Sequence, residues 1–287
     1  MYKRQIIDGL VSSFRRSEKL QIHTRFLYSV GSIYRRHNGN LLYHGCIPCD
    51  GNGEFMEFSL YSDTPLKGRA FLDWADRLAR QGYFAPDGSM ERLRGLDFLW
   101  FLWCGRNSPI CGRTKITTFE RALIEDKASY TEPKNPYYVY YGSEEFCRRI
   151  LDDFDLHKPW SRIINGHMPV KVKEGEDPRK GGGRLVVIDG GFCKAYHKQT
   201  GIAGYTMFFS SHGMRIAAHE PFTTREEAIH GKKDITSHSF IVENLPRRLM
   251  ISDTDAGEGI KRRIEDLNAL LDAYRSGTIK TDSTGRI

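Results

Sequence analysis

Apolar positions along the chain fall into two patterns, helical spacing and short continuous runs, and turn residues separate the segments. Behind Ser17, a helix-capping residue, Leu20, Phe26 with Leu27, Val30 and Tyr34 fall at helical spacing, the last of them three to four positions apart. This predicts a helix closed by His37, Asn38 and Gly39, with His23 on its surface or in its packing. Leu41 to Tyr43 is short, apolar and bounded by turn residues, and predicts a buried strand ending at His44. In "SDTPLKGRAFLDWADRLARQGYF", Thr64 is placed to cap a second helix with Pro65 at its first position and an end near Gly82. Ser89 opens "SMERLRGLDFLWFLW", whose aromatic end reads as core, and "ERALIED" (120–126) reads as a shorter helix.

Farther along, "EPKNPYYVYYG" (132–142) reads as a Pro-broken loop leading into a short aromatic strand. Ser143 caps the helix "EEFCRRILDDF", and "SRIING" (161–166) returns as a strand with His167 at its end. "VKEGEDPRKGGGRL" (172–185) has the composition of an exposed, mobile loop, and "LVVIDGG" predicts a central strand ending in Asp189. "AGYTMFFSS" and "MRIAAHEPF" predict a strand pair joined at His212 and Gly213. Thr223 with Glu226, and Thr224 with Glu227, form capping-box pairs for "REEAIHG", closed by Gly231. The last helix, about 258–276, carries Ile260, Ile264, Leu267, Leu271 and Tyr274 on one face. Helices and strands in this mixture define an α+β chain; no internal repeat and no linker composition divides it.

Composition adds limits. With 287 residues, 39% hydrophobic and 28% charged, the chain has enough material for a globular core. Its longest strongly apolar run, 96–103, falls well below the roughly 20 residues of a spanning helix. The first twenty residues lack the apolar stretch and cleavage site of a secretory signal, so the cytoplasm is the expected compartment, with no membrane partner. Six cysteines in a chain of this size read as free thiols. Cys46 and Cys49 form a C-x-x-C, a redox or half-zinc pattern, but no second pair at matching spacing follows it. The net charge of +7 fits a nucleic acid or a phosphorylated metabolite equally, and the basic residues are scattered rather than gathered in a stripe, which argues against nucleic acid.

Two stretches share one build. "LLYHGCIPC" (41–49) and "IINGHMPVK" (163–171) each run from an apolar strand through a histidine beside a glycine to a proline. A histidine at the carboxyl end of a buried strand is held by the core while its ring faces a crevice, the usual ligand position of α/β sheets. Gly45 and Gly166 allow close backbone approach or an unusual φ. Imidazole suits divalent metals, and two such rings on neighbouring strands can share an ion; singly, each reads more readily as a hydrogen-bonding residue at a strand end, and it is the pairing that shifts the weight to metal.

"NGNLLYHGCIP", "INGHMPVKVKEGEDP", "VIDGGFCKAY", "GIAGYTM" and "HEPF" resemble, in order and spacing, the class III fructose-1,6-bisphosphatases, sugar phosphatases of the calcineurin-like metallophosphoesterase superfamily. The resemblance runs from about residue 8 to the C-terminus. It implies a metallophosphoesterase-like sandwich of β-sheets flanked by helices, with a two-metal centre, usually manganese (Mn2+), at the strand ends. It implies hydrolysis of the 1-phosphate of fructose 1,6-bisphosphate to fructose 6-phosphate in gluconeogenesis, with paired ions clamping the attacking and leaving oxygens. Carried over by motif, His44 and His167 are metal ligands. Asp189 and Tyr205 are placed to line the pocket. Arg106 or Arg113 in the Gly-rich loop 104–115, and Lys171, Lys173, Arg179, Lys180 and Arg184, are candidates to meet the sugar phosphates; for each, the plainer reading is a solvated cation.

The superfamily's D-x-H, G-D-x-x-D-R and G-N-H-D/E motifs are not found ahead of His44. "GNGE" (51–54) lacks the histidine, and "DLH" (155–157) falls in the wrong order. The catalytic residues are therefore expected upstream of this chain, which reads as the C-terminal part of a single catalytic domain spanning residues 6–287, incomplete by itself. "MYKRQ" (1–5) reads as a non-native start. The partner implied is a small sugar bisphosphate, and a homo-oligomer is left open. The rival readings are a metallophosphatase for another phosphoester and a non-catalytic binding protein that keeps half the fold.

Overall fold

The computed structural model describes residues 2–191, 193, 200–202, 204–220, 224–230 and 237–280. The chain forms two compact units interleaved in sequence: Met1–Arg35 with Tyr43–Gly142, and Arg36–Leu42 with Ser143–Ile287. Because the boundaries cut into strands and short turns, no linker composition marks them.

In the first unit, α1 (Tyr2–Arg16) and α2 (Glu18–Val30) meet at Ser17, whose Oγ accepts the Leu20 amide. α2 stops at Gly31, earlier than its apolar spacing predicts. The cause is α3 (Gly68–Phe84): Arg80 donates to the carbonyls of Tyr28 and Gly31, and its Nε pairs with Asp76 at 2.7 Å, while Asp76 accepts the Ile33 amide. The last helical carbonyls are thereby satisfied and the chain is turned away. α3 itself starts at Gly68 rather than Pro65, because Leu66 exchanges both backbone hydrogen bonds with Phe58 at 2.8 Å.

α4 (Met90–Cys104), capped by Ser89, packs on α3. Phe71, Leu72, Ala75 and Leu78 on one helix and Phe98 and Leu102 on the other are buried, each large side chain contributing about 1.5–3 kcal/mol. The aromatic end expected in the core is only half there: Trp100 and Trp103 are exposed and meet edge to face. α5 (Thr118–Leu123) overlaps the predicted 120–126 but starts earlier and ends at Ile124, whose amide caps it on Glu120 O. The predicted aromatic strand is instead a short helix, α6 (Tyr137–Tyr140). Asn135 Oδ1 accepts the Tyr137 amide and Pro136 lies in the right-handed helical region, so the segment coils.

The second unit holds most of two sheets. The first, in the order β1 (Tyr34–His37), β2 (Asn40–Tyr43), β3 (Ile163–Asn165), β5 (Leu185–Val187), β4 (Arg179–Lys180), is mixed: β3 and β5 are parallel, β4 and β5 antiparallel. The predicted mobile loop 172–185 thus contains an edge strand. Gly181, Gly182 and Gly183 all take positive φ, a conformation that suits glycine, and turn the chain from β4 back into β5. β6 (Gly204–Ser210), β7 (Gly213–His219) and β8 (Ser237–Asn244) form an antiparallel sheet. The β6–β7 hairpin is as expected; β8 is an additional strand.

α7 (Glu144–Asp153), capped by Ser143, buries Phe146, Cys147, Ile150 and Leu151. α8 (Arg225–His230) sits at the predicted "REEAIHG", but Thr223 and Gly231 lie outside the described residues. α9 (Asp255–Arg275) is capped by Thr254 and presents Ile260, Ile264, Leu267 and Leu271 to solvent. Among the described residues no helix is long and apolar enough to cross a membrane. The architecture is α+β.

Candidate functional site

At the carboxyl ends of the parallel pair β3 and β5, the chain brings several predicted residues into one neighbourhood. Ile188 donates its amide to the Asn165 carbonyl at 2.9 Å, and Val170 donates to the Asp189 carbonyl at 2.8 Å, so the His167 turn and the Asp189 turn are bound side by side. His167 has φ +70°, and the Met168 amide donates across it to Gly166 O at 2.8 Å. A two-residue hydrogen bond around a central positive φ is the rare, strained form of γ-turn. The unusual φ foreseen for Gly166 belongs instead to the histidine, and backbone strain held at a sheet end is a recurrent feature of functional sites.

The same neighbourhood is rich in charge. Asp189 Oδ1 accepts the Gly191 amide at 2.9 Å, which fixes its carboxylate. Lys171 takes Glu176 Oε2 on its amide and Glu174 on its ammonium. Lys180 pairs with Glu176 at 2.8 Å and Arg179 with Asp177 at 2.7 Å. Tyr205, buried at the start of β6, has its hydroxyl pushed up to about 12 by burial, with Asp177 and Glu176 adding to the effect, so it stays a protonated donor at neutral pH. The aliphatic stem of Lys173 lies against Gly201. Glu176 and Asp177 were not singled out in the sequence; the signal is their alternation with Lys171, Arg179 and Lys180 at two- to five-residue spacing. Arg184 is directed elsewhere, to the Pro159 carbonyl and toward Glu144.

His44 lies in the first unit, exposed, directly after β2. It lines a cavity of about 480 Å³ whose wall is mainly apolar, with Leu27, Leu99 and Trp103 among its members. Gly45 presses on the next loop: a Cβ there would fall 1.9 Å from Pro109 O, the same carbonyl that accepts the Cys46 amide at 2.8 Å. Only glycine permits this approach, and it fixes the backbone beside the imidazole. Arg113 is committed to Glu132 at 2.5 Å, and Arg106 is exposed.

The C-x-x-C does not present a reactive pair. Cys46 and Cys49 are buried and their sulfurs approach different groups, Ser108 O and Asn135 Oδ1, each at 3.9 Å. Burial pushes the Cys46 thiol well up, away from the thiolate that redox and zinc chemistry require. Among the described residues no three His, Cys, Asp or Glu side chains are grouped to hold a metal ion. By themselves, then, these residues do not make up a metal centre.

The chain is thus an α+β protein that gathers a strained histidine, a fixed carboxylate and paired basic side chains at the ends of a parallel strand pair. The profile of the Firmicute fructose-1,6-bisphosphatase family matches residues 1–276, and the chain belongs to that family. It is 50% identical over 285 residues to the fructose-1,6-bisphosphatase class 3 of Clostridium botulinum (strain 657 / Type Ba4), covering 99% of this chain and 42% of that protein. To the protein of the same name from Clostridioides difficile (strain 630) it is 48% identical over 280 residues, covering 98% and 42%. The chain therefore spans less than half the length of these curated relatives. No solved structure matches it.

Proposed function

We propose that this chain is part of a fructose-1,6-bisphosphatase, a cytoplasmic hydrolase that removes the 1-phosphate of fructose 1,6-bisphosphate to give fructose 6-phosphate and inorganic phosphate in gluconeogenesis. The observation that carries the reading is family membership over residues 1–276, joined to His167 held in its strained turn beside Asp189. We assign His44 and His167 as imidazole donors to a manganese centre, with its remaining donors supplied from outside the described residues. Two imidazoles alone do not retain divalent ions against water and competing chelators. The two sheets of the second unit are, in this reading, layers of a metallophosphoesterase-like sandwich.

On the substrate side, Lys171 and Lys173 offer charge to a phosphate, Tyr205 a hydroxyl donor, and Asp189 an acceptor for a sugar hydroxyl. The test is the complete reading frame at the source locus, expressed and assayed for phosphate release from fructose 1,6-bisphosphate with manganese. His44→Ala and His167→Ala are each expected to lower the rate at least a hundredfold. Wild-type rates in either variant would remove that residue from the ligand set, and no release by the wild-type protein would overturn the function.

A further inference from the structure

We propose that the opposite end of the same strand pair is a second site, one that binds a small phosphorylated molecule. β3 and β5 run parallel, so Ser161 and Arg184, which precede them, share the amino end while His167 and Asp189 share the carboxyl end. A cavity of about 200 Å³ opens at the amino end, lined by Arg148, Asp152, His157, Lys158, Ser161 and Arg184 among others. Three permanent cations line it; Arg148 and Arg184 share Glu144, Lys158 pairs with Glu258, and His157 lies 3.1 Å from Asp152, so its cations are held by carboxylates that a more highly charged anion can displace.

The arrangement already holds an anion of its own. Arg148 binds Glu144 at 2.7 Å, and Arg184 Nε lies 3.7 Å from the same carboxylate oxygen. The glycine turn before β5 makes room for that carboxylate, since a Cβ on Gly182 would fall 2.9 Å from Glu144 Oε2. The Glu144 carboxyl is held below the usual range, chiefly by its hydrogen bond from Arg148. Two guanidiniums converging on one exposed carboxylate are also the recognition geometry of a phosphate, which carries more charge and takes bidentate bonds from each arginine. An exposed ion pair is weakly held and is displaced by such a ligand.

Two further features belong to a binding pocket. Lys158 is fixed at its edge by Glu258 at 2.9 Å and the Asp253 carbonyl at 3.1 Å. Ser161, a lining residue, is 1% exposed, and its Oγ has no hydrogen-bond partner among the described residues, an unmet hydroxyl beside the cavity. Arginines supply the charge, the serine a neutral donor or acceptor, and the apolar wall of Leu151, Leu156 and Pro159 accommodates a short carbon skeleton.

The test is calorimetric titration of the 287-residue chain at low ionic strength with inorganic phosphate and, separately, with glycerol 3-phosphate. Saturable binding is expected, weakened at least tenfold by Arg148→Gln and by Arg184→Gln and unchanged by Lys67→Gln, which lies in the first unit. Glu144→Gln is expected to bind several-fold tighter, because it removes the competing carboxylate; it also guards against a variant that merely unfolds. Tighter binding of glycerol 3-phosphate would identify a phosphate ester as the ligand, and equal binding free phosphate. Absence of saturable binding, or Arg148→Gln and Glu144→Gln both binding as wild type does, overturns the proposal.

Discussion

Gly82 on α3 and Gly95 on α4 meet backbone to backbone. A Cβ on Gly95 would lie 2.2 Å from Gly82 N, and one on Gly82 would lie 2.7 Å from the Gly95 carbonyl carbon. Neither neighbour is a flexible side-chain tip, so the helices must part to admit a methyl group. Alanine at either position is expected to destabilise the chain by about 1–3 kcal/mol, beyond the roughly 1 kcal/mol that alanine gains over glycine in helix propensity. Urea unfolding measures this directly. A Gly95→Ala chain as stable as wild type would mean the two helices do not touch here.

His167 supplies a way to separate strain from chemistry. An L-residue in the left-handed region costs roughly 1–2 kcal/mol, although histidine tolerates it better than most residues do. His167→Gly relieves the strain and loses about 0.5–1 kcal/mol through greater freedom of the unfolded chain. Its stability should therefore match or slightly exceed wild type, while His167→Ala keeps the strain and should be the less stable of the two. In the complete protein both variants should lose phosphate release equally, because both lack the imidazole. If His167→Gly proved clearly less stable than His167→Ala, the strained turn would be wrong.

Local chemistry made much of the fold legible. Ser17, Ser89 and Ser143 cap the helices they were expected to cap, and the runs at Leu41–Tyr43 and Leu185–Val187 are buried strands because turn residues bound them closely. The errors arose where distant contacts decide. Nothing near Tyr34 reveals that Arg80 and Asp76 will end α2 before it, and nothing near Pro65 reveals that Leu66 is taken by Phe58. β8 escaped because the alternation in "SHSFIVEN" is diluted by polar residues on an exposed face. Among the candidate residues, His44 and His167, one in each unit, announce themselves through a repeated strand, glycine and proline context. Glu176 and Asp177 do not, since acids in a Gly-rich stretch read as solvent loop until β4 folds them back.

Buried thiols contribute to a loss of stability at alkaline pH. On the inner face of α7, burial pushes the Cys147 thiol from its ordinary 9.0 up to about 12, with Glu144 adding to the effect. Cys46 is pushed up as well, by burial first and then by Cys49 and Cys111. The unfolded chain ionises these thiols near the ordinary value, so above about pH 9 it holds fewer protons than the folded chain. Their contribution is therefore whole below pH 9 and is lost as pH rises, at about 1.4 kcal/mol per pH unit for each thiol. Urea midpoints between about pH 8 and pH 10.5 should fall, and Cys147→Ala should flatten the fall by one thiol's share. An identical slope in Cys147→Ala would contradict the assignment.

Arg162, just before β3, and Glu243, on β8, join the two sheets of the second unit through an ion pair at 2.5 Å, with side chains only 12% and 16% exposed. Arg162 is further held by donating to the carbonyls of Pro159 and Ser161. Burial pushes its pKa down and Glu243 pushes it back up, so desolvation and attraction oppose each other within the pair. Removing one partner leaves the other charge buried and uncompensated, and Arg162→Met is expected to lose about 3–5 kcal/mol. Removing both charges takes the desolvation penalty away with the attraction. The double variant Arg162→Met/Glu243→Met should therefore recover most of that loss, and a double-mutant cycle in urea gives the coupling. Additive losses in the cycle would show that the pair contributes nothing as a pair, and that the sheets are joined by their apolar contacts instead.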